Sequence, residues 1–439
     1  MNNIKGRQLW KRAVRVMPGG NGLLSKRPHR YAPDIWPTYF SECSGVNVID
    51  LDGNSYIDMA QMGIGSAILG YAHQELTNAV CVAAKSGVNC SLNCPEEVVL
   101  AERLLDLNPF AGSVKFARTG AEAMTIAVRI ARATSGRDKV AFSGYHGWSD
   151  WYLAANLGNS ESLSNHLLPG LQPKGVPAVL KNSAIPFIYN DIADFERVIN
   201  QNNDVGVICV EGARYDYPTP SFLDTIIAKA KQHNIVVISD EITSGWRVTD
   251  GGVYKLNGFQ PDIVVYGKAL GGGYAISAVV GKEEVMDVAQ DTFISSTMWT
   301  ERVGFVAALK TIEVLTREKG WEHLIDIGDR IGKGWRVLAE KHNLKLKTTS
   351  FKPLITFKLD YGERNNSLIT LYIQEMLKHG YLTAPSVYVS MAHTVEIVDQ
   401  YLNTADEVFS ILAKAINEGT VEALLETKKR SDAFVRLTK

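Results

Sequence analysis

Ile235-Val236-Val237-Ile238-Ser239-Asp240-Glu241 and Ile263-Val264-Val265-Tyr266-Gly267-Lys268-Ala269-Leu270-Gly271-Gly272-Gly273 decide how this chain is read. Each begins as a short continuous apolar run, the pattern of a strand buried on both faces. Each then meets a charged residue, Asp240 in the first and Lys268 in the second, where the strand gives way to a turn. Outward from this pair the pattern repeats. Residues 114–117, 140–143 and 205–210 are similar runs, and helical spacing fills the gaps between them. Residues 121–133 place Met124, Ala127, Val128 and Ala131 on one face, and residues 222–233 behave likewise. Strands alternating with helices predict an α/β fold with a mostly parallel central sheet covered by helices.

The alternation occupies residues 75–310, expected to be a large domain. Residues 1–74 read differently. A helical spacing over 4–17 is closed by Met17-Pro18-Gly19-Gly20. Gly45-Val46-Asn47-Val48-Ile49-Asp50, then Asp52-Gly53-Asn54, then Tyr56-Ile57-Asp58 read as strand, turn and strand. Beyond the large domain, 303–315 and 321–342 are helical in spacing, 354–359 is strand-like, and two further helical stretches follow. Residues 1–74 and 311–439 are expected to build one small α+β domain from both chain ends. A length of 439 residues suits one larger and one smaller domain.

Composition narrows the partners. The chain is 46% hydrophobic, enough for a sizeable core, and its 46 Lys+Arg balance 47 Asp+Glu. No basic stripe suits nucleic acid and no acidic block suggests a disordered arm. Small molecules or a second copy remain. Cys43, Cys81, Cys90, Cys94 and Cys209 are an odd number without a secreted-scaffold spacing, and read as reduced thiols. Cys90 and Cys94 lie closest but lack nearby His or Cys partners for zinc, so no metal is expected. The first residues are basic and partly apolar, without the uninterrupted apolar core of a signal peptide. No apolar run reaches the roughly 18 residues of a membrane span. The expectation is a cytoplasmic protein with no membrane partner.

In open α/β sheets, ligands bind beyond the carboxyl ends of the strands. Neighbouring strands therefore offer a carboxylate, Asp240, and an amine, Lys268, to one crevice. Pyridoxal 5′-phosphate (PLP) needs both: a lysine that tethers its aldehyde and an anion beside its ring nitrogen. Spacing alone also suits a structural ion pair beside a glycine turn. Gly271-Gly272-Gly273 permits close backbone approach. Arg118-Thr119-Gly120-Ala121-Glu122-Ala123 lies between a strand and a helix start, where free N–H groups and the helix dipole favour a phosphate. Thr-Gly before a helix is also a common plain cap. Ser143-Gly144-Tyr145-His146-Gly147-Trp148 follows another strand and offers an aromatic face to a flat ring, although Tyr-His in such a place commonly just packs. What distinguishes the four elements is their shared position at strand ends of one alternating unit. Gly63-Ile64-Gly65 with Gly70 faintly resembles a dinucleotide turn, but lacks the preceding strand and the glycine spacing.

These motifs together resemble the class III aminotransferases, fold-type I PLP enzymes, and within them the glutamate-1-semialdehyde aminomutase branch. The resemblance runs from Met17-Pro18-Gly19-Gly20 to Ala384-Pro385-Ser386 and Met391-Ala392-His393-Thr394. Its most specific pieces are Asp240-Glu241-Ile242-Thr243-Ser244-Gly245-Trp246-Arg247 and Gly267-Lys268. It implies PLP as cofactor, with pyridoxamine 5′-phosphate as its alternate form, and Lys268 and Asp240 as catalytic residues. It implies Tyr145 stacked on the cofactor ring with Ile242 against the other face. Thr119, Gly120 and Ala121 would cradle the phosphate, with His146 and Thr243 also at the cofactor. Glu211, in Val210-Glu211-Gly212, would line the substrate side. Thr297, in Ser295-Ser296-Thr297-Met298-Trp299, resembles a threonine that reaches the phosphate of the partner subunit's cofactor. A homodimer with its active site at the interface is implied as well.

The chain also departs from the family's pattern. Ala121 stands where a second hydroxyl is common at the phosphate turn. Thr300-Glu301-Arg302 replaces Gly-Asn-Pro after Thr297. Lys26 and Arg27 lie near the place of an arginine that binds substrate carboxylate in the aminomutase, without clear register. Ala384-Pro385-Ser386-Val387-Tyr388-Val389-Ser390 lacks the acid that gates the aminomutase. The expected function is a PLP-dependent aminotransferase, moving an amino group from a donor, glutamate first, to a small carbonyl acceptor. The rebuilt pocket points to a keto-sugar or hydroxyketone used for surface-polysaccharide synthesis, with no α-carboxylate needed on the acceptor. The alternative is a glutamate-1-semialdehyde 2,1-aminomutase-type isomerase. A protein that only binds PLP or a nucleotide is a third reading, against which the presence of both Lys268 and Asp240 speaks.

Overall fold

Strands that bury both faces need apolar residues at every position, and the central runs of this chain have them. The computed structural model describes residues 3–166 and 169–433. They fall into two units, one within residues 74–322 and the other within residues 1–73 and 323–439. The helix Arg302–Arg317 lies wholly in the larger unit.

Three strands precede the larger unit: β1 (Phe40–Ser44), β2 (Asn47–Asp50) and β3 (Ser55–Met59), paired antiparallel in sequence order. Asp50 builds the β2–β3 turn. Its carboxylate accepts the backbone N–H groups of Asp52 and Asn54, each at 2.9 Å, so the side chain stands in for strand pairing where the chain reverses.

The larger unit carries β4 (Ser113–Ala117), β5 (Lys139–Ser143), β6 (Ala184–Pro186), β7 (Val205–Glu211), β8 (Val236–Asp240), β9 (Ile263–Tyr266) and β10 (Ser277–Gly281). They form one seven-stranded sheet in the order β4-β10-β9-β8-β7-β5-β6. β10 runs antiparallel to both neighbours and the other pairings are parallel. Every residue of β7, β8, β9 and β10 is buried.

The helix Gly120–Ser135 packs across β7 to β10 and buries Ala123, Met124, Ile126, Ala127, Val128, Ile130 and Ala131. Each of its larger apolar side chains contributes about 1.5–3 kcal/mol by leaving water. Thr119 starts this helix through a capping box with Glu122, and Gly136, at φ 64°, ends it in the left-handed conformation.

The remaining strands, β11 (Leu346–Thr348), β12 (Leu354–Leu359), β13 (Tyr381–Thr383) and β14 (Ser386–Tyr388), belong to the smaller unit. β13 pairs parallel with β3, so the sheet β1-β2-β3-β13 draws on both chain ends. A second sheet has the order β11-β12-β14. Among the described residues, no helix is long and apolar enough to cross a membrane, and no cluster of His, Cys, Asp and Glu is arranged to hold a metal.

Candidate active site

β5, β7, β8 and β9 are consecutive in the sheet and parallel, so their carboxyl ends lie side by side. Register pairs Ser143 with Val210, Glu211 with Asp240, and Asp240 with Val265. Tyr145 and His146 follow β5, Glu211 ends β7, Asp240 ends β8, and Lys268 comes just after β9. The topology brings all five to one edge.

Asp240 is 2% exposed. One of its oxygens accepts the Ile242 N–H at 3.0 Å and the other faces His146 Nδ1 at 2.7 Å. His146 is itself buried, and its Nε2 lies 3.2 Å from the Ser143 carbonyl. The carboxylate is thus clamped from two directions. Each oxygen has capacity for a second donor, such as the protonated nitrogen of a pyridine ring. His146 meets this edge of the sheet through the Asp240 carboxylate.

Lys268 adopts φ 36°, a left-handed conformation that costs a residue with a Cβ about 1–2 kcal/mol. Its Nζ donates to Thr243 Oγ1 at 2.9 Å. Burial pushes the amine down to about 8, helped by the nearby Arg214 and opposed by Glu211 and Asp240. Near neutral pH part of the Lys268 population is therefore uncharged and nucleophilic.

Thr243 is buried, and its hydroxyl also lies 3.5 Å from Arg214 Nη2. Arg214 Nε donates to Glu211 Oε1 at 2.8 Å, and the guanidinium sits 5.2 Å from the centre of the Tyr145 ring. The second Glu211 oxygen accepts the Tyr145 N–H at 3.2 Å. Gly144, at φ 112°, makes that approach possible: a Cβ there would stand 2.6 Å from the Glu211 Cβ. Ile242 is flanked in the same way. A Cβ at Gly120 would come within 2.8 Å of it and one at Gly267 within 3.3 Å.

The helix start keeps its orientation for an anion, because the first N–H groups of Gly120–Ser135 point out of the helix end. The Thr119 hydroxyl is engaged with Glu122, donating to its carboxylate at 3.0 Å. Ala121 lies against Gly147, where a Cβ would come within 2.8 Å of it. Thr297 is not part of the Lys268–Asp240 cluster. It is exposed on the turn Thr297–Thr300, which Arg118 ties to the helix start through the Met298 carbonyl. The residues present fit a flat, phosphate-bearing pyridine cofactor, with a nucleophilic amine, a clamped carboxylate and a helix start at one edge.

Sequence reasoning missed Arg214. Its one local signal is an opposite charge three positions after Glu211, and the proximity to Lys268 comes from the β7–β8–β9 register.

The family model described as aminotransferase class-III matches residues 31–415. A 3-aminobutyryl-CoA aminotransferase of Cloacimonas acidaminovorans (strain Evry) is 33% identical, over 90% of this chain and 95% of its own length. A 2′-deamino-2′-hydroxyneamine transaminase of Streptomyces kanamyceticus is 29% identical, over 90% and 95%. A solved structure described as a transaminase with PLP bound has a TM-score of 0.84 and 25% identity, covering 94% of this chain and 99% of that one. With the family model matching over most of its length, and a relative 33% identical over 90% of it, the chain belongs to the class III aminotransferases.

Proposed function

We propose that this PLP-dependent aminotransferase takes its amino group from glutamate and passes it to a small hydroxylated ketone, a keto-sugar for surface-polysaccharide synthesis being the leading candidate. The observation that carries the reading is the meeting of Lys268 and Asp240 at the ends of adjacent strands, one amine lowered toward neutrality and one carboxylate clamped on both oxygens. When bound, PLP supplies an electron sink for the carbon that gives up its proton. Lys268 would tether the cofactor through Nζ, and Thr243, bonded to that amine, would keep it placed to take and return a substrate proton. Asp240 would hold a proton on the ring nitrogen, and His146 keeps Asp240 aimed. Tyr145 and Ile242 offer surfaces to the ring, and Gly120 and Ala121 offer backbone N–H groups to the phosphate.

The acceptor reading rests on the segment around β14. Ala384-Pro385-Ser386-Val387-Tyr388-Val389-Ser390 carries no acid, so the gate expected of an isomerase that retains its intermediate is lacking. The Streptomyces relative, by its name, acts on a hydroxylated compound. The exposed Thr297 suits a homodimer in which it serves the phosphate of the other copy. The five free cysteines suit a cytoplasmic enzyme.

A two-step absorbance experiment tests the reading. Holoenzyme mixed with glutamate should lose the visible band of its bound cofactor, and a hydroxyketone added afterwards should restore it. Conversion of glutamate semialdehyde to aminolevulinate with no donor supplied would establish the isomerase instead.

A further inference from the structure

We propose that Arg118 is a positioning residue for the other copy's cofactor: it fixes the turn Thr297–Thr300 so that Thr297 is set for a phosphate across the dimer. The inference rests on the homodimer reading above and names the residue through which one subunit prepares its partner's site.

Arg118 stands one residue before Thr119, the cap of the helix Gly120–Ser135. Its guanidinium grips the turn at two points. Nε donates to the Met298 carbonyl and Nη2 to the Glu301 carbonyl, each at 2.5 Å. The Glu301 carboxylate lies 3.5 Å from the same Nη2, and the two side chains are only 11% and 14% exposed, so salt screens the pair weakly. Nη1 reaches the Ala275 carbonyl at 3.3 Å, just beyond Gly271-Gly272-Gly273. A second tether joins the same two elements. Trp299 Nε1 donates to Glu122 Oε1 at 3.4 Å, while the other Glu122 oxygen accepts the Thr119 N–H at 2.8 Å. Thr300 braces the turn by donating its hydroxyl to the Thr297 carbonyl at 3.0 Å. Met298, Trp299 and Glu301 are thus held to the helix start, and the Thr297 side chain, which none of these bonds uses, stays exposed.

The surroundings are built for an arginine. Gly304 lies in the first turn of the helix Arg302–Arg317, and a Cβ there would collide with Arg118 Nη1. The Phe305 ring takes the guanidinium at 5.1 Å from its centre. Glu301 holds two elements at once, because its carboxylate also accepts the Val303 and Gly304 N–H groups, at 2.7 and 3.2 Å, as the cap of that helix. Thr300-Glu301-Arg302, where this chain departs from the family's pattern, is therefore the seat of Arg118. A guanidinium spreads its donors over one rigid plane, whereas a lysine's compact ammonium cannot span both turn carbonyls and Ala275. Without Arg118 the turn loses its closest ties to the helix start, and a hydroxyl on a loosened turn costs more to immobilise on a ligand.

Hybrid dimers, purified through two different affinity tags, test the assignment. One subunit is wild type. The other carries K268A, which cannot tether PLP, so the visible band of the bound cofactor reports the wild-type site alone. PLP is titrated into the apo hybrid with the silent subunit carrying K268A alone, or K268A with R118Q, with T297A, or with both. R118Q in the silent subunit should weaken PLP at the wild-type site roughly 3- to 10-fold, the effect of about one lost hydrogen bond. T297A should weaken it at least as much, and the double variant no further than T297A, because Arg118 acts through Thr297. R118K should fall between wild type and R118Q. If R118Q hybrids do not fold, Gly304→Ala displaces the guanidinium while keeping its charge and should give the same loss. An unchanged affinity with R118Q while T297A weakens it, additive losses in the double variant, or a loss seen only when R118Q and the intact Lys268 share one subunit, would overturn the assignment. No effect of T297A, or an absence of dimers, would remove the homodimer reading and this inference with it.

Discussion

Asp240 and Lys268 reach reactive states by different physical routes. Asp240 is oriented by neighbours that donate to it, so its role can be separated from its packing. In Asp240→Asn, the amide oxygen can keep the Ile242 N–H, and the amide N–H can donate to His146 Nδ1 in the tautomer that retains a proton on Nε2. The fold should survive while the negative charge is lost. The expected outcome is a melting temperature close to wild type with turnover reduced by roughly 10²–10⁴-fold, checked on protein reconstituted with PLP. Lys268 is tuned by burial first and by Arg214 second. Because its amine is lowered to about 8, the nucleophilic form grows as pH rises and saturates just above that value. Capture of PLP by the apoprotein should therefore accelerate with pH and level off slightly above pH 8, as stopped-flow absorbance would show. A rate still climbing steeply near pH 10 would mean that Lys268 behaves as an ordinary exposed amine.

The helix Gly120–Ser135 links the sheet to the expected phosphate site, and Thr119 serves it as N-cap. Thr119→Ala removes the hydroxyl half of the capping box. Urea unfolding of the apoprotein should lose about 0.5–2 kcal/mol of stability. If Thr119 also binds phosphate, PLP affinity should drop by more than this loss of stability explains. At this scale the chain was readable where local pattern and tertiary role agree. β7, β8 and β9 are continuous apolar runs because both of their faces are covered, and Asp240 and Lys268 are visible because each interrupts such a run at its end. β10 was not readable, since Ser277-Ala278-Val279-Val280-Gly281 is short, small-sided and antiparallel, and it follows a glycine turn. Arg214 was not readable either. It lies in the loop after β7, and its approach to Thr243 depends on how β7 and β8 align, a property of the sheet and not of the loop.

For the molecule as a whole, the proposed dimer makes a prediction that no single chain can satisfy. If Thr297 serves the other copy's cofactor, a subunit carrying Lys268→Ala and one carrying Thr297→Ala should together form one intact site. Mixed refolding of the two variants at limiting PLP should recover more activity than either alone, up to about one quarter of wild type when subunits pair at random. No recovery, with mixed dimers demonstrated by mass, would place Thr297 outside the site. The function itself rests on a single covalent claim, that the cofactor is tethered at Lys268 beside Asp240. Borohydride treatment of the PLP-loaded enzyme, followed by proteolysis and mass spectrometry, tests it most directly. The account predicts one pyridoxyl-modified peptide, carrying its label on Lys268 and missing from Lys268→Ala. A label on any other lysine, with Lys268 unmodified, would contradict it.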